Sequence, residues 1–416
     1  MKIALVHDWL TGMRGGEKVL EVLCELYPDA SLYTLLHNRG TVSSLIEQRE
    51  IHTSFIDRLP LKTKSYRNYL PLFPRAIESF DFSQYDLLLS SSHAVAKGAR
   101  PAPGAVHICY CHTPMRYVWE LYDDYFVPGR AGLLTRAVMS VVAPRLRRWD
   151  VDSSERVHYF ISNSRNVAQR ISRYYHRTSD VVHPPVNLDQ FTLSEGDDGY
   201  FLIVSALVPY KRVDLALHVF NESGEKLLIV GTGPERSRLQ ALARRNIEFL
   251  GWQSDVDLAR LYARCRALIF PGVEDFGIVP LEARASGKPV IAFGEGGALG
   301  PRFRGDERKI SASTPMDQSL GRFRLRLNRA AGCGLASPPP GGGRACPRLD
   351  RGSIARNAQS GGGGRYQVSV ISNQKVQSSN LITDLCLLIP GTPTLAPRSP
   401  LGADPPPPGE GKHRMR

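Results

Sequence analysis

The chain is predicted to be an α/β protein with two Rossmann-like, doubly wound parallel sheets facing a cleft. Three observations predict it. Short apolar runs rich in β-branched residues recur along the first 300 positions. Stretches with helical apolar spacing lie between them. The alternation restarts after a Pro-Pro break at Pro184 and Pro185, as a second domain would.

KIALVH reads as the first parallel strand, apolar throughout and bounded by a polar loop. The loop DWLTGMRGG follows. EKVLEVLCELYP then places Val19, Leu20, Val22, Leu23 and Leu26 at helical spacing and is stopped by Pro28. Further strands are expected at SLYTLL, YDLLLS, AVHICYC and VHYFIS. The first domain is bounded at 1–185, closing in the linker-like VVHPPVNLDQF.

The second domain, 186–300, repeats the pattern more regularly. YFLIVSAL, KLLIVGTG, NIEFLG, ALIFPG and KPVIAF read as strands. VDLALHVFN, ERSRLQALARR, VDLARLYARC and VPLEARAS read as the helices between them. Near residue 300 the pattern stops. Residues 301–416 contain SPPPGGG, SGGGG and DPPPPGEGK and read as a disordered tail, in which VSVI and LITDLCLLI are apolar islands able to form local structure. So abrupt an end within a domain points to a reading-frame change near Leu299. It leaves the second sheet incomplete, with impaired stability expected.

The bulk charge is misleading. The formal net charge of +13 suggests an anionic polymer or surface as partner. Yet residues 1–300 hold 35 Lys and Arg against 33 Asp and Glu, whereas residues 301–416 hold 18 against 7. The basic excess belongs to the tail, which has no aromatic interleaving or recognisable module, so no nucleic-acid partner is expected. Seven cysteines fall at 24, 109, 111, 265, 333, 346 and 386, and no pair has CxxC spacing. Cys109 and Cys111 read as fillers of a buried strand face rather than metal ligands. This usage fits a reducing cytoplasm. No apolar run reaches membrane-spanning length, and His7 and Asp8 interrupt what could otherwise pass for a signal peptide.

In open α/β sheets ligands sit beyond the carboxyl ends of strands, so the loops there carry the candidates. Gly15 and Gly16 let backbone approach a phosphate at a helix N-terminus, or form a plain turn. They do not complete GxGxxG, which disfavours a dinucleotide cofactor. His112 ends a strand at the cleft rim, where it can bond a sugar hydroxyl, act as acid or base, or simply be a satisfied rim histidine. Lys211 and Arg212 in ALVPYKR can neutralise a diphosphate, or mark a solvated helix start. PGVEDFGIVPLEA is the most specific stretch: Glu274 lies in a loop, Glu282 on the following helix, and each carboxylate can accept from a vicinal diol.

Six segments together resemble the retaining GT-B enzymes of glycosyltransferase family four, most closely bacterial mannosyltransferases of O-antigen or exopolysaccharide synthesis. They are HDWLTGMRGGEKVLE, CYCHTPMRYVW, FISNSRNVAQRI, SALVPYKRVDLAL, IVGTGPE and PGVEDFGIVPLEA. The resemblance spans about 1–299. It implies a nucleotide-sugar donor as substrate, GDP-mannose in the first instance, with no cofactor and no metal. It implies that Gly15 and Gly16 meet the donor phosphates or the transferred sugar, that His112 contacts the sugar near the reacting centre, and that Lys211 stabilises the leaving diphosphate. Glu274 would bond the sugar hydroxyls and Glu282 the ribose, with Arg212, Phe276 and Gly277 completing the donor site. Many relatives carry Arg five positions before the phosphate-binding Lys; here that position is Ala206, and Arg212 is the nearby substitute.

The acceptor implied is a glycan or lipid-linked glycan. The segment around GRAGLLTRAVMSVVAPRLR combines an apolar face with Arg130, Arg136, Arg145, Arg147 and Arg148, which suits either the cytoplasmic surface of the inner membrane or packing on its own domain. Two other readings stand beside the transferase: a sugar-nucleotide epimerase of the same architecture, and a catalytically dead nucleotide-sugar-binding remnant.

Overall fold

The computed structural model describes residues 1–297, apart from 127–130, 188–189, 195 and 295, together with the strand 368–371. Two sheets organise the described residues. The first contains β1 (Ile3–His7), β2 (Ser31–Thr34), β3 (Ile51–Thr53), β4 (Leu87–Ser92), β5 (Val106–Cys111), β6 (Tyr159–Ser162) and β7 (Asp180–Val181). All pair in parallel in the order β3-β2-β1-β4-β5-β6-β7. The second contains β8 (Tyr200–Val204), β9 (Lys226–Val230), β10 (Ile247–Gly251), β11 (Ala267–Phe270), β12 (Val290–Phe293) and β13 (Val368–Ile371), in the order β10-β9-β8-β11-β12-β13.

Both sheets bury both faces, which explains their near-continuous apolar strands. Around the first sheet, one core gathers Ala4, Val6, Leu88 and Phe73 and the other Leu5, Leu32, Leu89 and Ile108. Around the second, Phe201, Ile229 and Ile269 face one way and Leu202, Leu228 and Leu268 the other. The alternate residues of one strand thus feed opposite layers, the period-2 consequence of a strand held between helices. The helix Gly15–Leu26 buries Val19, Leu20 and Leu23, three of the residues that set its expected apolar face.

β3 and β7 have three and two residues, too short to carry a hydrophobic period, and they escape sequence reading. β13 lies in the segment read as tail. It pairs antiparallel with β12, Val290 opposite Ile371 and Phe293 opposite Val368, and so occupies the sheet edge expected to be lost. The rest of 301–416, including the LITDLCLLI island, lies outside the described residues.

Each sheet has a switch point where strand order reverses, between β1 and β4 in the first and between β8 and β11 in the second. Adjacent strands leave in opposite directions there and open a crevice at their carboxyl ends. In the first sheet this brings His7, Ser91 and the residues after β5 together. In the second it sets the loop after β8 beside the loop after β11.

Burial holds His107 neutral: it is fully buried, its Nε2 lies 2.8 Å from Ser90 Oγ, and its pKa falls from 6.5 to about 3. His112 is pushed to about 3 by desolvation, with His93 and His7 adding to the effect. A folded pKa below the unfolded one means the unfolded chain binds more protons between pH 3 and 6.5. Stability from these groups is therefore complete above 6.5 and is lost as pH falls, at about 1.4 kcal/mol per pH unit for each. We expect the urea midpoint to drop between pH 6.5 and 4, with a shallower slope in His107→Gln; an equal slope would contradict it.

Candidate active site

Polar residues concentrate where the first sheet meets its crevice. β4 changes from Leu87-Leu88-Leu89 to Ser90-Ser91-Ser92 along its length, all buried. Asp8, just after β1, is buried and accepts four backbone N–H groups, from His93, Ala94, Val95 and Ala96, at 2.6–3.0 Å. His93 Nδ1 lies 3.0 Å away. These contacts and the neighbouring histidines outweigh burial and hold the Asp8 carboxyl well below its usual range. The expected first loop is thereby fixed to the β4 loop.

Gly15 and Gly16 open the helix Gly15–Leu26. A Cβ on Gly16 would lie 3.6 Å from both His112 Nε2 and His7 Cε1, and one on Gly15 would press on Ile278 Cδ1 at 3.2 Å. The helix start therefore touches His112 on one side and the second domain on the other. His112 is half-buried; its Nε2 meets Ser91 Oγ at 2.8 Å and its carbonyl accepts from Asn163 Nδ2 at 2.9 Å.

Lys211 ends a short turn after β8, and Glu274 lies in the loop after β11. The switch point brings them into direct ion-pair contact. Burial lowers the Lys211 pKa, aided by Arg116 and opposed by Asp275. The touching carboxylate of Glu274 further favours the ammonium form. The Glu274 loop is pinned by the glycines after β12. Gly297 N–H donates to Glu274 O at 2.6 Å, and a Cβ on Gly297 would stand 1.9 Å from Asp275 O. Only glycine fits so close an approach.

Gly277 adopts a left-handed conformation (φ 87°) that turns the chain into the helix Ile278–Ala285. Phe276 is buried and stacks on His183 with ring centroids 5.2 Å apart. Glu282 is buried and accepts from Tyr262 Oη at 2.8 Å. Its pKa is raised by burial, against the Tyr262 hydrogen bond and the charge of Lys18 in the first domain. Arg212 differs from the rest: its backbone is left-handed (φ 50°), and its side chain pairs with Asp214 on its own helix at 3.4 Å.

Sequence reasoning missed the residues that join the domains. Asp275, between the two selected acids, receives Arg170 and lies 3.2 Å from Arg116, while its carbonyl accepts from Ser164 Oγ at 2.5 Å. Arg116 also lies over the Tyr210 ring at 5.3 Å. Arg116 lies in CYCHTPMRYVW, and Ser164 and Arg170 in FISNSRNVAQRI, but only the fold shows that one acid gathers them. His7, Ser91 and Glu17 form a second overlooked group around His112.

Residues 187–300 match the family described as Glycosyl transferases group 1. The chain is similar to the O-antigen chain mannosyltransferase RfbU of Salmonella typhimurium, 28% identical over 151 residues, 33% of this chain and 43% of that protein. It is also similar to the alpha-1,3/1,6-mannosyltransferase ALG2 of Saccharomyces cerevisiae, 26% identical over 243 residues, 46% of each chain. The chain thus spans less than half the length of these curated relatives. Among solved structures it is similar to Anabaena HepE in complex with UDP and glucose, at TM-score 0.51 and 18% identity, covering 72% of this chain and 82% of that one. The fold is the GT-B arrangement of two facing α/β sheets, parallel apart from the antiparallel edge strand β13.

Proposed function

We propose that this chain is a glycosyltransferase that moves a hexose from a nucleoside-diphosphate sugar to a glycan or lipid-linked glycan, with retention of anomeric configuration. The observation that carries the reading is the Lys211–Glu274 pair at the second switch point, in a loop that leads into the helix Ile278–Ala285, whose first residue lies against the Gly15–Gly16 helix start. An ammonium there neutralises a diphosphate, and the helix N-terminus adds unpaired N–H groups with partial positive charge. Glu274 and His112 supply acceptors for sugar hydroxyls, and Glu282 one for a ribose diol. Mannose is the proposed sugar and GDP-mannose the proposed donor, on the support of two mannosyltransferase relatives. HepE, holding UDP and glucose, supports a nucleotide-sugar cleft in this fold.

In the transfer, the bond from the sugar anomeric carbon to the diphosphate oxygen breaks, its electron pair leaving with the phosphate. The acceptor hydroxyl oxygen bonds that carbon on the same face, and its proton passes to the departing phosphate. Lys211 stabilises the charge that develops on the leaving group, the interaction that lowers the barrier. Incubation of the chain with GDP-mannose, UDP-glucose and ADP-glucose plus a lipid-linked glycan tests this. One donor should release nucleoside diphosphate in step with an α-linked product; release with none would overturn the reading.

An acceptor at a membrane surface is proposed from the helix Leu133–Ser154. Leu133, Leu134, Val138 and Val141 are exposed along one side, and Arg145 and Arg148 are exposed further along. Arg147 does not join them: its Nε donates to the Val118 carbonyl and its guanidinium lies 5.7 Å over the Trp119 ring. Arg130 lies outside the described residues. No described helix is long and apolar enough to cross a membrane. The chain should float with vesicles containing anionic lipid, and Arg145→Glu with Arg148→Glu should release it. Flotation unchanged by the two substitutions would refute the surface.

A further inference from the structure

A chain of polar contacts runs from the helix start to His112. Glu17 Oε2 accepts the backbone N–H of Arg14 at 3.1 Å, which fixes the carboxylate and directs Oε1 to His7 Nε2 at 3.8 Å. His7 is fully buried, and its Nε2 has no hydrogen-bond partner among the described residues, so its contact with Glu17 is one of charge. On the other side of the ring, His7 Nδ1 lies 3.1 Å from Ser91 Oγ. Ser91 is also fully buried, and the same Oγ lies 2.8 Å from His112 Nε2. The spacing follows from the sheet: His7 pairs with Ser91 across β1 and β4, and His112 follows β5 on the far side of β4.

A hydroxyl has one proton, so of two flanking imidazole nitrogens it can donate to one and must accept from the other. The carboxylate of Glu17 decides which. Beside it, His7 Nε2 must carry the proton, because a ring lone pair facing an anion is repelled. With a single ring proton, held on Nε2, His7 leaves Nδ1 bare to accept from Ser91 O–H. Ser91 Oγ in turn accepts from His112 Nε2–H. His112 is left with Nδ1 as a hydrogen-bond acceptor. We propose that Glu17, His7 and Ser91 are positioning residues that fix His112 in its Nε2–H tautomer, so that its Nδ1 accepts a hydrogen bond from a hydroxyl of the transferred sugar. The inference rests on the proposed function only for the identity of that hydroxyl; the tautomer stands on the contacts alone.

Glu17→Gln reverses the logic. The amide oxygen remains for the Arg14 N–H, so the NH2 group faces His7 Nε2 and donates to it. His7 then carries its proton on Nδ1 and donates to Ser91, and Ser91 donates to His112 Nε2. His112 is converted to the Nδ1–H tautomer, a donor where an acceptor was needed. Ser91→Ala cuts the chain, so that adding Glu17→Gln changes nothing further at His112.

The experiment is long-range 15N–1H correlation spectroscopy of the imidazole nitrogens in 15N-histidine-labelled full chain without ligand. The 11 histidines are assigned by single substitutions, and each variant is checked for a cooperative melt. The wild type should show His112 with a protonated Nε2 and a bare Nδ1, Glu17→Gln the reverse, and Ser91→Ala a mixture. In turnover, Glu17→Gln should lower kcat about three- to tenfold, the worth of one hydrogen bond, with donor Kd little changed. An Nδ1–H tautomer in the wild type, or the same tautomer in a folded Glu17→Gln, would overturn the relay. If the wild type turns over no donor, the functional reading fails while the spectra still decide the tautomer.

Discussion

Lys211→Met should lower turnover about 10²- to 10³-fold, the loss seen when one fixed donor to a developing oxyanion is removed. Methionine keeps the length and apolar stem of lysine and discards the charge. A second effect accompanies it, because Glu274 is left half-buried without its cation, and an unpaired carboxylate in that setting costs about 1–3 kcal/mol. The double variant Lys211→Met with Glu274→Gln separates the two. It should regain most of the melting temperature, since an amide needs no counter-charge, and stay as slow as the single variant. Recovery of turnover with recovery of stability would mean that Lys211 acts through folding alone.

Asp275→Ala should cost about 2–4 kcal/mol in urea unfolding and loosen the apposition of the domains. Its carboxylate takes Arg170 and neighbours Arg116, and all three side chains are largely shielded, with exposures of 12%, 13% and 23%. Removing the shared anion leaves two cations facing each other, and breaking one partner of a shielded pair costs more than the pair contributes. Arg170 retains Glu120 at 2.7 Å, which limits the loss. Asp275→Asn, still able to accept two hydrogen bonds, should lose about half as much. A loss under about 1 kcal/mol for Asp275→Ala would show that the clamp does not hold the domains together.

Both effects depend on juxtapositions that only partly show in the sequence. The two-domain α/β alternation was legible because buried parallel strands are apolar along their whole length and the helices between them keep a 3.6-residue period. Lys211 and Glu274 were legible as strand-end residues, but their contact arises from strand order: β8 and β11 are neighbours although 62 residues, 205–266, lie between them.

Ser91 was invisible for a different reason. A serine at a strand end belongs to no motif, and its importance comes from lying between His7 and His112 on flanking strands. Glu17 is an ordinary helix-start acid that accepts the Arg14 N–H, and nothing in the sequence marks its approach to His7. The charge of Arg212 beside Lys211 is plain in the sequence, but its pairing with Asp214 is not. The pairing of β13 with β12 could not be read at all, because a four-residue apolar island carries no record of its partner.

A nucleotide-sugar site in this cleft is tested most simply by the melting temperature of the full chain against GDP-, UDP- and ADP-sugars at saturation. A ligand at about 100 times its Kd adds about 2.7 kcal/mol of stability. A clear upward shift is expected with the sugars of one base, GDP foremost, and is lost in Lys211→Met. A cooperative melt that none of these donors moves would contradict a nucleotide-sugar site in this cleft.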